Sequence, residues 1–472
     1  MNSFHWLISL KDAFCSLARR KSRRQRRRVR PINGQGMELL EARTMLATIG
    51  FDSGSGLLTF AADAGVADIV SVSSPQEDIL QIQVGNGEAI TLEGDAVGNP
   101  DFQLSQFVVA DDTLQIDVSS SIVDSFLADL GDLSDTFTVT ALPGVSSLFV
   151  NGEAGSDIID ISAISLGATL TGGAGNDVLT GGSGDDVLVG GGGTDVIDGG
   201  LGIDTNSFQG IGIGVTATVD ADGAGTAVYG MVNETFVGIE NLTGSENDDI
   251  LTATGAAANV LRGEGGDDIL AGGGGTDVID GGLGVDTNSF QGIGFGVTAT
   301  VDADGAGTAV YGMVNETFVG IENLTGSEND DILTATGAAA NVLRGEGGND
   351  ILAGGGGTDV IDGGLGIDTN SFQGIGFGVT ATVDADGAGT AVYGMVSETF
   401  VGIENLTGSE NDDILTATGA TANVLRGEGG NDILAGGGGT DVIDGGLGID
   451  TCLLYTSPSP RDRTRSRMPS SA

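Results

Sequence analysis

Large apolar residues between positions 172 and 451 come in very short runs cut by glycine and aspartate. From Gly172 the chain reads GGAGNDVLT, GGSGDDVLV, GGGGTDVID and GGLGIDTNS. Each unit predicts a turn followed by a strand of about three residues, such as Val178-Leu179-Thr180, whose middle side chain faces inward. Leu179, Leu188, Ile197, Leu270 and Ile279 hold that middle position. Two units then make one coil, and units i and i+2 stack one strand spacing apart, about 4.8 Å. Residues 48–171 alternate apolar and polar positions in less regular runs: Ile79 to Val84, Leu114 to Val118, Phe137 to Thr140 and Ser147 to Val150. The pattern predicts an all-β chain with helix nearly absent from 48–451, and no run of 18 apolar residues that could cross a membrane as a helix. For 48–151 a β-sandwich and a degenerate solenoid are both open. The solenoid is favoured, because GDLSDTFTVTA (131–141) and GEAGSDIIDIS (152–162) look like worn copies of the later unit.

The nine-residue unit sits inside a longer period. Residues 201–282, 283–364 and 365–446 are near-identical copies of 82 residues, and a fourth copy starts at Leu447. Five positions vary among them, for example Ile213/Phe295/Phe377 and Asn233/Asn315/Ser397. Such self-similarity points to a solenoid or array, stacked unit upon unit. The expected organisation is a basic leader at 1–47, a β-rich segment at 48–151, a nonapeptide block at 152–207 and the three long repeats, with the fourth begun at 447–451.

Charge narrows the chemistry. The chain has 66 acidic and 18 basic residues, but residues 44–451 hold only Arg262, Arg344 and Arg426 against 62 acids, a net charge of −59. His5 is the only histidine, Cys15 and Cys452 are the only cysteines, and no lysine follows Lys21. Ser–His, Cys–His and Schiff-base catalysis have no residues to run on, and zinc sites of the His/Cys type are excluded. A polyanion of this strength repels phosphates, so no nucleic-acid partner is expected. What remains is carboxylate and backbone oxygen.

GGxGxDxUx, with U a large apolar residue, resembles the signature of the hemolysin-type calcium-binding (RTX) nonapeptide family. Four consecutive copies in frame, with further blocks at 263–289, 345–371 and 427–451, carry the likeness. The resemblance implies a parallel β-roll or β-solenoid with Ca²⁺ as its cofactor. The unit has its own physical reading. Glycines permit a tight turn with carbonyls aimed at one point. Stacked Asp carboxylates one strand apart repel, and a Ca²⁺ ion between them, which takes six to eight oxygens, reverses the sign. The candidate ligand turns are Gly172, Gly173, Gly175 and Asp177; Gly181, Gly182, Gly184 and Asp186; Gly190, Gly191, Gly193 and Asp195; and Gly199, Gly202 and Asp204. In the later blocks the candidates are Asp268, Asp277 and Asp286, then Asp350, Asp359 and Asp368, then Asp432, Asp441 and Asp450. Pairing i with i+2 gives Asp177/Asp195, Asp186/Asp204, Asp268/Asp286, Asp350/Asp368 and Asp432/Asp450, roughly five well-formed ions, with weaker sites beside Asn259 and Asp249. DADGAG (220–225) has acids at the first and third positions of an EF-hand loop but Met231 where the bidentate Glu belongs, so it reads as an acidic hairpin turn. Arg262 and its equivalents read as solvated partners of a nearby carboxylate.

The ends differ from the middle. In the leader, Leu40, Glu41, Arg43, Leu46 and Ala47 follow an Arg-rich run and resemble the LE-x-R-x-x-L sorting segment of planctomycete surface and secreted proteins. Residues 452–472, beginning CLLYTSPSPRD, resemble a sequencing-library adapter read in frame, so the natural chain is expected to continue past Thr451. Together these features suggest a secreted or cell-surface calcium-binding repeat protein with a structural or adhesive role and no catalysis. Its expected partners are calcium ions and extracellular polysaccharide or cell-surface components. The alternative is the calcium-binding module of an exported polysaccharide-active enzyme or toxin whose catalytic domain lies elsewhere.

Overall fold

The computed structural model describes residues 46–52, 57–61, 69–73, 79–84, 89–94, 113–117 and 124–454. The leader up to residue 45 and the residues after 454 lie outside them. Every regular element among the described residues is a strand, and no helix long and apolar enough to cross a membrane occurs there.

From residue 124 onward the chain winds between two sheets. Ser125–Asp129, Ser147–Asn151, Ala168–Ala174, Val187–Gly192 and Thr205–Ser207 pair in parallel in the first sheet. Thr136–Val139, Ile158–Asp160, Val178–Thr180 and Val196–Asp198 do so in the second. The register Val178↔Val196, Leu179↔Ile197 repeats every two nonapeptides, so the chain is the expected parallel β-solenoid. The nonapeptide strands Val178–Thr180, Val196–Asp198, Ile269–Ala271 and Val278–Asp280 bury one side chain each. Leu179, Leu188, Ile197, Leu270 and Ile279 are all buried between the sheets, whereas Val178 and Val196 face outward. One large apolar side chain per nine ordered residues is a thin core, and it leaves much of the ordering to the turns.

Upstream, Leu57–Ala61 continues the first sheet beside Ser125–Asp129, and Ile69–Ser73 continues the second beside Thr136–Val139, both in parallel. Leu58, Phe60, Val70, Val72 and Ile82 join the same buried cluster as the solenoid core.

Each long repeat interrupts the winding with an antiparallel meander: Thr216–Val219, Gly225–Tyr229 and Val232–Val237. Its third strand pairs back onto Val196–Asp198 and its first pairs forward onto Ile250–Ala253. The first turn is DADGAG, where Asp220 N–H donates to Ala224 O at 2.8 Å and the Asp220 carboxylate accepts from Asp222 and Ala224 N–H. The second turn places Gly230 at φ 58° and exposes Met231 fully.

The second meander, Thr298–Val301 to Val314–Val319, lies in the opposite sheet from the first, and the third, Thr380–Val383 to Val396–Val401, returns to the original one. The cause is arithmetic. One repeat visits the sheets seven times, at Thr205–Ser207, the meander, Asn241–Thr243, Ile250–Ala253, Val260–Arg262, Ile269–Ala271 and Val278–Asp280. An odd number of visits exchanges the two sheets between successive repeats. Because the meander supplies three strands in one visit, one repeat gives five strands to one sheet and four to the other. The next repeat reverses that imbalance, so a difference of one strand spacing, about 4.8 Å, is cancelled rather than accumulated.

Candidate metal centres

The nonapeptide turns stack so closely that side chains are excluded. Gly191 and Gly193 lie at φ 92° and 149°, in the left-handed region, and a Cβ on either would strike the carbonyl oxygen of Gly173 or Gly175 from the turn 18 residues earlier. A Cβ on Gly172 would fall against Asp177 Oδ2 and within 2.7 Å of Gly190 O. The first glycine of the unit therefore leaves open a cradle where a carboxylate oxygen and the next turn's carbonyl converge. Gly181 and Gly263 show the same arrangement, with Asp186 Oδ2 and Gly199 O, and with Asp268 Oδ2 and Gly281 O.

The aspartates form rows along the axis. Asp177 N–H donates to Asp195 Oδ1 at 2.8 Å, Asp186 N–H to Asp204 Oδ1 at 2.7 Å, and Asp268 N–H to Asp286 Oδ1 at 2.8 Å. Asp350 and Asp368 repeat this at 2.8 Å, Asp432 and Asp450 at 3.2 Å. All five sequence-paired couples are thus brought together. One carboxylate oxygen of each upper residue is spent on the backbone below it. The other, Oδ2, is buried without a hydrogen-bond partner in Asp157, Asp177, Asp195, Asp204, Asp268, Asp277, Asp286, Asp350, Asp359, Asp368 and Asp432. Burial, with neighbouring carboxylates adding to it, pushes Asp204, Asp268 and Asp350 up to about 7. Burial likewise pushes Asp277, Asp286, Asp359 and Asp368 up to about 6, and Asp177 and Asp432 upward. Arg262, an exposed residue, sits across from Asp280 on the outside of the sheet and does not reach these rows.

Buried carboxylates in a stack, each with an oxygen lacking a donor, call for a cation. No group of three or more His, Cys, Asp or Glu side chains converges among the described residues. Each centre is a pair of carboxylates with backbone carbonyls around it. A donor set of oxygens alone suits a hard ion that accepts irregular geometry, as Ca²⁺ does. The residues that would hold it are the paired aspartates and the carbonyls of the turn glycines.

Not every candidate is equivalent. Asp186 accepts from Ala168 N–H on Oδ1 and from Gly182 N–H on Oδ2, both at 2.7 Å, and so starts its row with no oxygen to spare. Asp249 does the same with Val215 N–H, Ser245 N–H and the Ser245 hydroxyl. Asp277, Asp359 and Asp441 follow Asn259, Asn341 and Asn423, whose N–H groups they accept. A Cβ on Gly184 would meet the backbone of residues 165–167, and one on Gly202 would in turn meet Gly184 O.

Three kinds of residue in the rows had escaped the nonapeptide frame. Asp157 precedes Asp177 and donates its N–H to Asp177 Oδ1 at 2.8 Å; the loose unit GEAGSDIID was the available signal. Glu240 follows Asp204 and accepts its N–H on Oε2 at 2.8 Å. Glu234 follows Asp195, because Thr235 pairs with Val196 and so places the preceding residues of the two strands in the same inward position. Neither glutamate lies in a GGxGxD unit, and only the register across the meander reveals them.

Among known families, the RTX calcium-binding nonapeptide repeat matches the chain in four copies, at residues 171–205, 254–287, 336–369 and 417–452. No curated protein matches the chain. The four segments are RTX calcium-binding nonapeptide repeats, and Ca²⁺ is the ion they bind.

Proposed function

We propose that this is a secreted or cell-surface protein in which calcium orders and stiffens a solenoid that serves a structural or adhesive role. The observation that carries the reading is the set of buried Asp rows, each with a donorless Oδ2, in a segment whose net charge is −59. Such rows need ions, and sites of the extracellular kind fill at about 10⁻⁴–10⁻³ M Ca²⁺, a level met outside the cell. The ligands in this reading are the aspartates and turn glycines named from the sequence, with Asp186 anchoring a row. Residues 1–47 act as the export leader, 48–151 as the lead-in, and the 82-residue repeats as the exposed array. Extracellular polysaccharide or cell-surface components are the partners that fit an array of this length and repetition. In this reading the chain has no catalytic role, and its paired aspartates from Asp177 to Asp432 lie buried in rows closed by stacked turns.

Cell fractionation with N-terminal sequencing tests the assignment. The expected result is protein in the medium or on the surface with a new terminus near Ala47. Intact Met1 on protein confined to the cytoplasm would overturn it.

A further inference from the structure

Where a nonapeptide row meets a meander, the next turn is missing and side chains take its place. Tyr229 Oη lies 3.1 Å from Gly191 O, 3.2 Å from Gly193 O and 3.1 Å from Glu234 Oε2. Gly173 O and Gly175 O, the corresponding carbonyls one turn earlier, face the glycines of the next turn instead. Asn206 reaches across from the opposite sheet and donates to Glu234 Oε1 at 2.9 Å. Asp195, Asn206 and Glu234 are at most 1% exposed.

Acceptors outnumber donors in this cluster. The Tyr229 hydroxyl has one proton and three acceptors within reach. Asp195 Oδ2 and Asn206 Oδ1 have no donor at all. The other two meanders repeat the arrangement. Tyr311 Oη is 2.9 Å from Gly273 O and from Glu316 Oε2, and Tyr393 Oη is 2.9 Å from Gly355 O and 3.1 Å from Glu398 Oε2. The same donorless atoms recur in Asp277 and Asn288, and in Asp359 and Asn370. The same surplus of buried oxygen stands at all three meanders, and buried acceptors without donors need a partner.

We propose that each meander completes a second kind of Ca²⁺ site with the nonapeptide turn that precedes it: the turn supplies Asp195 and the carbonyls of Gly191 and Gly193, the meander supplies Glu234 and Tyr229, and Asn206 joins them from the opposite sheet. It differs from the nonapeptide sites in drawing Glu234 and Tyr229 from outside any GGxGxD unit. The inference rests on the calcium reading of the nonapeptides.

The test counts ions on the full chain. Calcium bound after equilibrium dialysis is measured for the wild type and for the triple variant Glu234→Gln, Glu316→Gln, Glu398→Gln, which keeps shape and removes charge. The variant should bind three fewer ions with an unchanged β spectrum. If the triple variant fails to fold, the single change Glu398→Gln leaves two repeats intact and should remove one ion. Terbium as the probe adds a second readout. Tyr229, Tyr311 and Tyr393 each stand at one of these sites, and Tyr455 is the chain's fourth tyrosine, so the loss of terbium emission between wild type and variant reports the ion beside the tyrosine of the altered meander. The emission should fall by about a third in Glu398→Gln if the three sites are alike. An unchanged ion count in either variant overturns this proposal and leaves the nonapeptide sites standing. A wild type that binds no calcium would instead remove the reading beneath it.

Discussion

Asp249 and Asp268 occupy the same inward position on adjacent strands, and both are almost fully buried. Asp249 has donors on both oxygens, from Val215 N–H at 2.6 Å and Ser245 N–H at 2.5 Å. Asp268 has one donor, Asp249 N–H, and an Oδ2 with none. Asp331 and Asp350, like Asp413 and Asp432, divide in the same way. The residue type and its burial do not decide which aspartate needs an ion. The turn beneath it does: a serine and a meander strand close the row at its start, whereas a stacked glycine turn offers carbonyls and no proton. The chain satisfies the first carboxylate itself and leaves the inner ones to the metal.

Removing the metal should therefore have the largest effect. A site at 100 times its Kd contributes about 2.7 kcal/mol. Roughly five such sites contribute on the order of 10 kcal/mol, as much as a typical domain's whole stability. With chelator the far-ultraviolet circular dichroism of the full chain should lose most of its β signal, and millimolar Ca²⁺ should restore it. A β spectrum indifferent to chelator would mean that the inner carboxylates do not need ions.

Acid should partly replace calcium, again through the inner row. A folded-state pKa above the unfolded value means that ionisation weakens the fold. For Asp268 and Asp350, raised from 3.8 to about 7, the penalty is absent below about pH 4, grows through pH 4–7 and is complete above 7. In chelator the lost β signal should thus return in part as pH falls from 8 to 5, while Ca²⁺ affinity drops as protons compete. A β signal that stays lost or falls further over that range would contradict the burial of uncompensated charge.

Paired substitutions sharpen the contrast between the two aspartates. Asp268→Asn should remove about one bound ion. Asp249→Asn should keep the ion count but cost about 1–3 kcal/mol, because its amide cannot accept from both N–H donors. Equal ion loss in the two variants would erase the distinction between closed and open rungs.

Much of this was legible in the sequence, and the limits have physical causes. The spacing of Gly172, Gly181 and Gly190 with Asp177, Asp186 and Asp195 fixes strand length, coil size and the i/i+2 pairing, since each unit carries its own turn and strand. Glu234 and Glu240 escaped because a strand's partner across a meander depends on where the chain turns back, and no local pattern encodes that. The exchange of sheets between repeats escaped for the same reason: it follows only once the three strands of a meander count as one visit. The distinction between Asp186 and Asp195 depends on whether Gly182 N–H turns inward, a dihedral that the shared motif leaves open.

The smallest expected effect concerns the one place where the turn departs from glycine without apparent need. Glu153, Glu264, Glu346 and Glu428 stand at the second position of their units with φ between 68° and 73°, among residues where glycine is usual. A side chain in the left-handed region costs about 1 kcal/mol. Glu264 recovers part of this through a hydrogen bond with Gln209, in the loop that leads into the first meander, while burial and the neighbouring Glu246 disfavour its charge. Glu264→Gly relieves the backbone but loses that bond, worth about 1 kcal/mol, and adds freedom to the unfolded chain. The terms oppose one another at similar size, so in saturating Ca²⁺ the stability should change by less than about 1 kcal/mol, with the ion count intact. Loss of an ion on this substitution would instead make Glu264 a ligand and move it from the turn's geometry into its chemistry.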